Sequence, residues 1–225
     1  MVATTYMYAV PNTKEGIPME QSIKDEAIEQ LDKDIVFGFD DKEDLLMGIS
    51  DMFYNVDNFD KKWLKNEIKI RLKEHKLVSK KWEYPTDFDR LLKAFDSLNT
   101  KGIVALHKAG YTKQDAQDDG LDMIMRLKKK GIEAKGFCYY HTQDLERVIS
   151  EDKNLFIGYD SYNHNDTLAK EIADEIAKTL KLNGLKVKWN GSIESRIEIV
   201  DMDWKKRVDG IDYNQKKRIL KLMIK

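Results

Sequence analysis

Apolar residues recur at helical spacing in the first third of the chain. The stripe that follows Asp40 contains Leu45, Leu46, Ile49, Met52 and Phe53, and a second stripe contains Leu64, Ile68 and Leu72. This spacing predicts two helices, the first capped by Asp40 and the second over about residues 60–80. We therefore expect a helical N-terminal part over residues 34–83, preceded by a weakly patterned arm over residues 1–33.

Beyond Pro85, helical stripes alternate with short apolar runs. The runs are typical of buried strands and cover residues 103–106, 136–140 and 155–159. The stripes around them begin at residues that often cap helices, namely Thr86, Thr112, Thr142 and Asp166. Such alternation of helices with strands favours a sheet that contains parallel pairs.

Two further apolar runs follow the last of these helices. They cover residues 185–189 and 193–200, and Asn190-Gly191 between them is the strongest short signal for a tight β-hairpin. The order α-β-α-β-α-β-α-β-β predicts an α/β fold with a mixed sheet. We assign this α/β domain to residues 84–208 and a basic C-terminal tail helix to residues 209–225.

The amino-acid composition limits the cellular compartments and the classes of partner that we expect for this protein. Charged residues make up 35% of the 225 residues, but acidic and basic side chains nearly cancel and leave a net charge of -1. Such a chain has no overall field that would attract nucleic acid or an acidic membrane. The single cysteine, Cys138, cannot form an internal disulfide, and no apolar stretch has the length of a membrane span. We therefore expect a cytoplasmic protein without a membrane partner.

The C-terminal tail is the one hint of nucleic-acid binding. Its lysines and arginines alternate with apolar residues from Lys205 onward, so it could bind nucleic acid or a membrane surface, or it could dock its apolar face on the domain. We favour docking, because Tyr213 is the only aromatic residue of this segment that could stack on a base. Nucleic acid is therefore not expected as a partner.

Three predicted strands end in a polar residue shortly before a helix begins. These residues are His107, His141 and Asp160. If the strands are parallel neighbours, their carboxyl ends share one edge of the sheet, where ligands bind in open α/β folds. The alternative is that these residues only cap helices and bind loop backbone. The binding candidates at these strand ends and in the connections after them are His107, Tyr111, His141, Gln143, Asp144 and Asp160.

No catalytic or metal-binding set accompanies these candidates. Cys138 and His141 are an odd number of residues apart in one strand, so their side chains point to opposite faces and do not form a nucleophile–base pair. The chain has no glycine-rich phosphate loop and no histidine or cysteine spacing typical of a metal site. We expect no metal and no cofactor, and the sequence identifies no catalytic residue.

Several blocks of the chain resemble one protein family. They are residues 86–91 (TDFDRL), 102–106 (GIVAL), 109–112 (AGYT), 136–147 (GFCYYHTQDLER), 187–191 (VKWNG) and 196–199 (RIEI). The family is bacterial and is known only as a domain of unknown function, and the resemblance covers roughly residues 34–207. It implies a bacterial or phage-borne cytoplasmic protein and implies no activity.

Two functions therefore remain open. The first is a non-catalytic binding or interaction module, with another protein as a candidate partner. The second is an enzyme that acts on a small polar or phosphorylated ligand at the carboxyl ends of the strands. The lack of a self-consistent catalytic set favours the first.

Overall fold

The computed structural model describes residues 18–150 and 152–224, and its N-terminal part is helical. It contains α1 (Gln21–Phe37), α2 (Lys42–Met52) and α3 (Lys61–Ser79). The predicted boundary between residues 33 and 34 falls inside α1, and residues 1–17 of the predicted arm lie outside the described residues. The three helices enclose a core of their own, which includes Ala27, Leu31, Ile35, Leu45, Ile49, Phe53, Leu64 and Ile68.

Helix α2 begins one residue later than predicted. Its N-cap is Asp41, whose carboxylate accepts hydrogen bonds from the backbone N–H groups of Glu43 and Asp44. Asp40, predicted as the cap, instead pairs with Lys108 at 2.6 Å. Because Asp41 is the cap, the carboxylate of Asp40 is not needed at the helix start. Its ion pair with Lys108 connects the N-terminal helices to the α/β part of the chain.

The remaining elements follow the predicted order. In chain order they are α4 (Asp87–Thr100), β1 (Ile103–Leu106), α5 (Lys113–Lys128), β2 (Gly136–Tyr139), α6 (Thr142–Val148), β3 (Leu155–Ser161), α7 (Asp166–Leu182), β4 (Val187–Lys188), β5 (Ile197–Ile199) and α8 (Lys216–Met223). Thr86 and Thr112 cap α4 and α5 as expected, and each accepts the N–H of an aspartate three residues on. The protein therefore has the predicted α/β fold preceded by a helical part.

The five strands form one mixed sheet in the order β1-β2-β3-β5-β4. Strands β1 and β2 are parallel, whereas β3 is antiparallel to β2 and β5 is antiparallel to both β3 and β4. The expectation that β1, β2 and β3 run in one direction is therefore wrong for β3. Helix α6 has only seven residues and is too short to carry the chain back along the sheet, so β3 starts at the end where β2 stops.

The prediction of a tight hairpin is also wrong for the turn that joins its two strands. Strands β4 and β5 do pair, with Val187 opposite Ile199 and Lys188 opposite Glu198. They contain only two and three residues, and residues 189–196 form a loop between them. The amide oxygen of Asn190 accepts hydrogen bonds from the N–H of Ser192 and the hydroxyl of Ser195, so Asn190 organises this wider loop instead of a two-residue turn.

The two faces of the sheet are covered differently. Helices α4 and α7 pack on the inner face and form the main core with side chains such as Ala105, Cys138 and Ile157. Helix α5 packs on the outer face over β1 and β2, against Val104 and Phe137. The outer face of β3, β5 and β4 carries polar and half-buried side chains.

The C-terminal segment docks on the edge of the sheet beside β1. Ile219 of α8 is fully buried, and the guanidinium of Arg218 contacts both carboxylate oxygens of Asp96 at 2.6 Å. The side-chain amide of Asn214 accepts the backbone N–H of His107 at 2.8 Å and donates to its carbonyl, so it pairs with the edge strand as another strand would. Within the described residues, no helix has the length and apolar character needed to cross a membrane.

Two glycines within helices provide a test of this packing, because alanine at the two positions should change the free energy of unfolding in opposite directions. A methyl group on Gly120 of α5 would overlap the ring of Phe137, whereas a methyl group on Gly48 of α2 meets no neighbour. We expect Gly120→Ala to lower the free energy of unfolding, because overpacking costs about 1–3 kcal/mol and exceeds the gain in helix propensity of about 1 kcal/mol. We expect Gly48→Ala to raise it by about 0.5–1 kcal/mol. Urea denaturation of both variants measures this, and equal effects would contradict the close approach of α5 to the sheet.

Candidate functional site

A groove of about 710 Å³ lies on the outer face of the sheet, over β3, β5 and β4. The pairing of the strands aligns the side chains that form the floor of the groove. Phe156 pairs with Glu198 and Glu198 with Lys188, and continuing the β2–β3 register brings His141 opposite Phe156. These four side chains thus form one row across four strands on the same face, because residues opposite each other in a sheet point to the same side.

The walls of the groove come from three separate segments. Lys113 stands at the start of α5, and Gln143 and Arg147 project from α6. The β4–β5 loop, residues 189–196, forms the remaining wall with Trp189, Asn190, Glu194, Ser195 and Arg196. The short strands β4 and β5 therefore contribute to this site mainly through the loop that joins them.

The carboxylate of Asp144 holds two of the cationic side chains in place. Asp144 is 0% exposed, and its Oδ1 accepts from Arg147 at 2.9 Å and from Arg196 at 2.9 Å. Its Oδ2 also accepts from Arg196, at 3.1 Å, and from the backbone N–H of His141, at 3.2 Å. One buried acid thus fixes arginines from two distant parts of the chain, and charge-assisted bonds of this kind are stronger than neutral ones.

His141 is almost fully buried beside the same carboxylate. Its Nε2 lies 3.2 Å from Oδ2 of Asp144. The same nitrogen lies 3.4 Å from Nη1 of Arg196, so it faces both an acceptor and a donor, and its role in each contact depends on the tautomer. Burial lowers the pKa of His141, and the positive charges of Arg196 and Arg147 add to this, while Asp144 acts in the opposite direction. His141 is therefore neutral near pH 7 and adds no charge to the groove.

The groove has a surplus of positive charge. Its cationic side chains are Lys113, Arg147, Lys188 and Arg196, and its carboxylates are Glu194 and Glu198 with Asp144 beneath. The guanidinium of Arg196 also lies over the ring of Phe156, with its Cζ 4.9 Å from the ring centroid, and this cation–π contact adds to its bonds with Asp144. Such a surface can donate several charge-assisted hydrogen bonds to an anionic group.

His107 lies at the same end of the sheet as His141 but on the opposite face. In the parallel register of β1 and β2, Leu106 pairs with Tyr139, so His107 continues on the face of Tyr140. Its Nδ1 is 2.8 Å from the hydroxyl of Tyr140, inside the main core. There it lines a separate cavity of about 240 Å³, here called the His107 cavity. The two histidines therefore do not form one site.

Asp160 lies at the other end of the sheet, because β3 runs in the opposite direction to the expected one. It pairs in register with Phe137, near the start of β2, and its carboxylate contacts His164 Nδ1 at 2.6 Å. Tyr111 is 53% exposed and belongs to neither cavity. Of the predicted candidates, the structure brings together His141, Gln143 and Asp144.

The side chains that give the groove its charge were not among the candidates predicted from the sequence. Lys188 and Glu198 alternate with apolar residues in β4 and β5, so a period-two reading would have placed them on the outer face. Arg196 carried no local signal, because its partner Asp144 is 52 residues away in the sequence. Cys138 lies on the inner face, where burial raises the pKa of its thiol, and the described residues contain no cluster of acidic, histidine or cysteine side chains suited to a metal.

Comparison with known proteins identifies a family but no characterised relative. Neither the curated proteins nor the solved structures contain a match. The family defined as a domain of unknown function (DUF6891) matches residues 20–208, which include all three N-terminal helices and the complete sheet. The chain therefore belongs to the DUF6891 family.

Proposed function

We propose that this protein is a non-catalytic binding protein and that its groove recognises a phosphate or carboxylate group of a ligand or of a partner protein. The observation that carries the proposal is the pair Arg147 and Arg196, which reach the groove from different elements and are bonded to the same buried carboxylate, Asp144. The planar guanidinium groups match the geometry of phosphate and carboxylate oxygens.

The buried Asp144 prepares the arginines for an anion in two ways. It fixes their side chains before a ligand arrives, so less conformational entropy is lost on binding. Its single charge neutralises only one of the two guanidinium groups, and Glu194 and Glu198 balance Lys113 and Lys188, so the surplus positive charge of the groove lies on the arginine pair. An incoming anion therefore meets oriented donors with unused N–H groups.

The cellular setting is part of the same proposal. The likeness to a bacterial family supports a bacterial or phage-borne cytoplasmic protein. A free thiol at Cys138, enclosed in the core, is compatible with a reducing compartment. A protein partner carrying an anionic side chain could reach the groove, because its lining residues Lys188, Asn190 and Glu194 are exposed.

Replacing either arginine by glutamine tests the proposal. Each of Arg147→Gln and Arg196→Gln removes one charge, while the other arginine and the backbone N–H of His141 keep the buried carboxylate of Asp144 bonded. We expect each variant to bind inorganic phosphate roughly tenfold more weakly or worse, because a hydrogen bond to a charged group contributes about 1.5–3 kcal/mol. Isothermal titration calorimetry with phosphate and with acetate measures this.

Lys186→Gln is the matched control. Lys186 pairs with Asp201 outside the groove, and its side chain is 70% exposed. It loses the same charge, so its affinity for phosphate should equal that of the unmodified protein. Equal weakening by Lys186→Gln and Arg196→Gln would mean that only net charge matters, and it would remove the basis for a groove-specific site.

An enzyme acting on a small polar or phosphorylated ligand is the second candidate. The contact of His141 with Asp144 favours it, because a carboxylate that orients a neutral imidazole is one part of a general-base arrangement. Within the described residues, the Nδ1 of this ring has no hydrogen-bond partner.

Turnover assays with His141→Gln separate the two candidates. We expect the unmodified protein to hydrolyse neither para-nitrophenyl phosphate nor para-nitrophenyl acetate faster than the His141→Gln variant, because the hydroxyl of Ser195 in the groove donates to Asn190 and to the carbonyl of Ser192 and is not bonded to the imidazole. Hydrolysis that the unmodified protein supports and the variant lacks, with phosphate affinity retained, would favour the enzyme.

A further inference from the structure

We propose that helix α3 docks on the phosphate backbone of double-stranded nucleic acid through a line of lysines on its exposed side. This surface lies in the N-terminal helical part, and it does not depend on the function proposed for the groove. The net charge of -1 gave no reason to expect such a partner. That figure conceals an uneven distribution of charge among the three N-terminal helices.

Helix α3 is strongly basic, whereas the two helices beside it are acidic. The sequence of α3 contains seven lysine and arginine residues and two glutamates. That of α1 contains five acidic and two basic residues, and that of α2 contains three acidic residues and one basic residue. Both of these helices pack against α3. The positive charge of the N-terminal part is therefore concentrated on one helix.

Six lysines share one side of α3. They follow one another at intervals of three or four residues. At about 100° per residue, this spacing places them in a sector of about 80° around the helix axis. At about 1.5 Å per residue, the line from the first to the last is about 27 Å long. We call this line the lysine stripe, and its members are Lys62, Lys65, Lys69, Lys73, Lys76 and Lys80.

No acidic side chain of the described residues pairs with the lysine stripe. All six lysines are exposed, and none of them is in an ion pair with a described acid. The two glutamates of α3, Glu67 and Glu74, lie about 100° or more around the helix from the stripe, and Glu67 pairs with Arg71. Like charges four residues apart destabilise a helix, so the stripe carries a repulsion that a bound polyanion would relieve.

The shape of this surface favours a nucleic acid over an anionic membrane. A line of charges that is one helix wide matches the line of phosphates along a nucleic-acid strand. A helix that lies on a membrane inserts its apolar face between the lipids. In α3 that face is already occupied, because Leu64 and Ile68 are fully buried in the core of the three N-terminal helices. Its only large apolar side chains with high exposure are Ile70, Leu77 and Val78.

The composition of the stripe also indicates what it does not recognise. Lysine contributes a flexible point charge, which suits contact with phosphate oxygens. The stripe contains no aromatic side chain that could stack on an unpaired base, so it favours a duplex over a single strand. Contacts to phosphates position a protein on a duplex but carry no sequence information. Binding through the stripe is therefore independent of base sequence and strongly dependent on salt.

Titration of fluorescently labelled duplexes with the full chain tests this surface, with anisotropy as the measurement. The probes are two DNA duplexes of unrelated sequence and one RNA duplex. Each has about 20 base pairs and so exceeds the length of the stripe at about 3.4 Å per base pair. We expect equal affinity for the two DNA sequences and a steep loss of affinity between about 50 and 200 mM salt. The RNA duplex shows which of the two kinds of backbone is preferred.

A double variant in the middle of the stripe, Lys69→Gln with Lys73→Gln, removes two of its charges. Glutamine has nearly the helix propensity of lysine and relieves the repulsion, so the thermal midpoint should not fall. We expect this variant to bind the duplexes roughly tenfold or more weakly. We also expect the slope of log affinity against log salt to become shallower by about two, because two phosphate contacts are lost.

Lys129→Gln with Lys130→Gln is the matched control. Both lysines are exposed and follow the end of α5, so this variant loses the same charge outside the stripe. It should bind the duplexes as the unmodified protein does. The proposal is overturned if no duplex binds at about 50 mM salt or if the two double variants weaken binding equally. Binding to phosphatidylserine vesicles without binding to the duplexes would overturn it in favour of a membrane.

Discussion

Side chains of this sheet alternate between two faces, and helices cover these two faces unevenly. Together these two features determine where a ligand can reach the protein. Every second residue of a strand points to the same face. The inner face is enclosed by α4 and α7, whereas α5 covers the outer face over β1 and β2. Consequently His107 continues into the core and His141 continues into an open groove, although they follow neighbouring parallel strands. One end of the sheet thus carries two separate cavities.

Asp144 has the central part in the groove because it is a buried charge. An unpaired carboxylate in this position would cost several kcal/mol, so its burial requires the arginines that bond to it. Arg196 comes from the β4–β5 loop and Arg147 from α6, and their shared partner joins these two elements. The same bonds that satisfy Asp144 present the remaining guanidinium N–H groups to solvent. Stability and ligand recognition are therefore connected at this residue.

Local patterns in the sequence were sufficient for the order of elements and placed the helix starts to within one residue, although the N-caps expected at Thr142 and Asp166 are His141 and Asn165. Thr86 and Thr112 cap helices as their spacing predicts, and the apolar runs of β1, β2 and β3 are found where expected. The direction of β3 could not be read from its own residues, because it depends on how far the short helix α6 carries the chain. A signal as strong as Asn190-Gly191 also failed, since the amide of Asn190 organises a longer loop.

Local patterns in the sequence also predicted part of the candidate site, and long-range contacts account for the part that was missed. His141, Gln143 and Asp144 are adjacent in sequence and follow a recognisable strand end, so local reasoning found them. Arg196 and Lys188 join them only through strand pairing and through the buried carboxylate, which are long-range contacts. The error at Asp160 has the same origin, because one strand direction decides at which end of the sheet the residue lies.

Mapping the anion contact in solution is the sharpest test of whether Asp144 organises an anion site. Inorganic phosphate would be titrated into labelled protein while the side-chain N–H resonances of all arginines are followed. We predict that the resonances of Arg147 and Arg196 shift together and saturate, whereas that of Arg71, which pairs with Asp32 and Glu67 outside the groove, does not change. Shifts spread evenly over the arginines, or absent from Arg147 and Arg196, would contradict an anion site organised by Asp144.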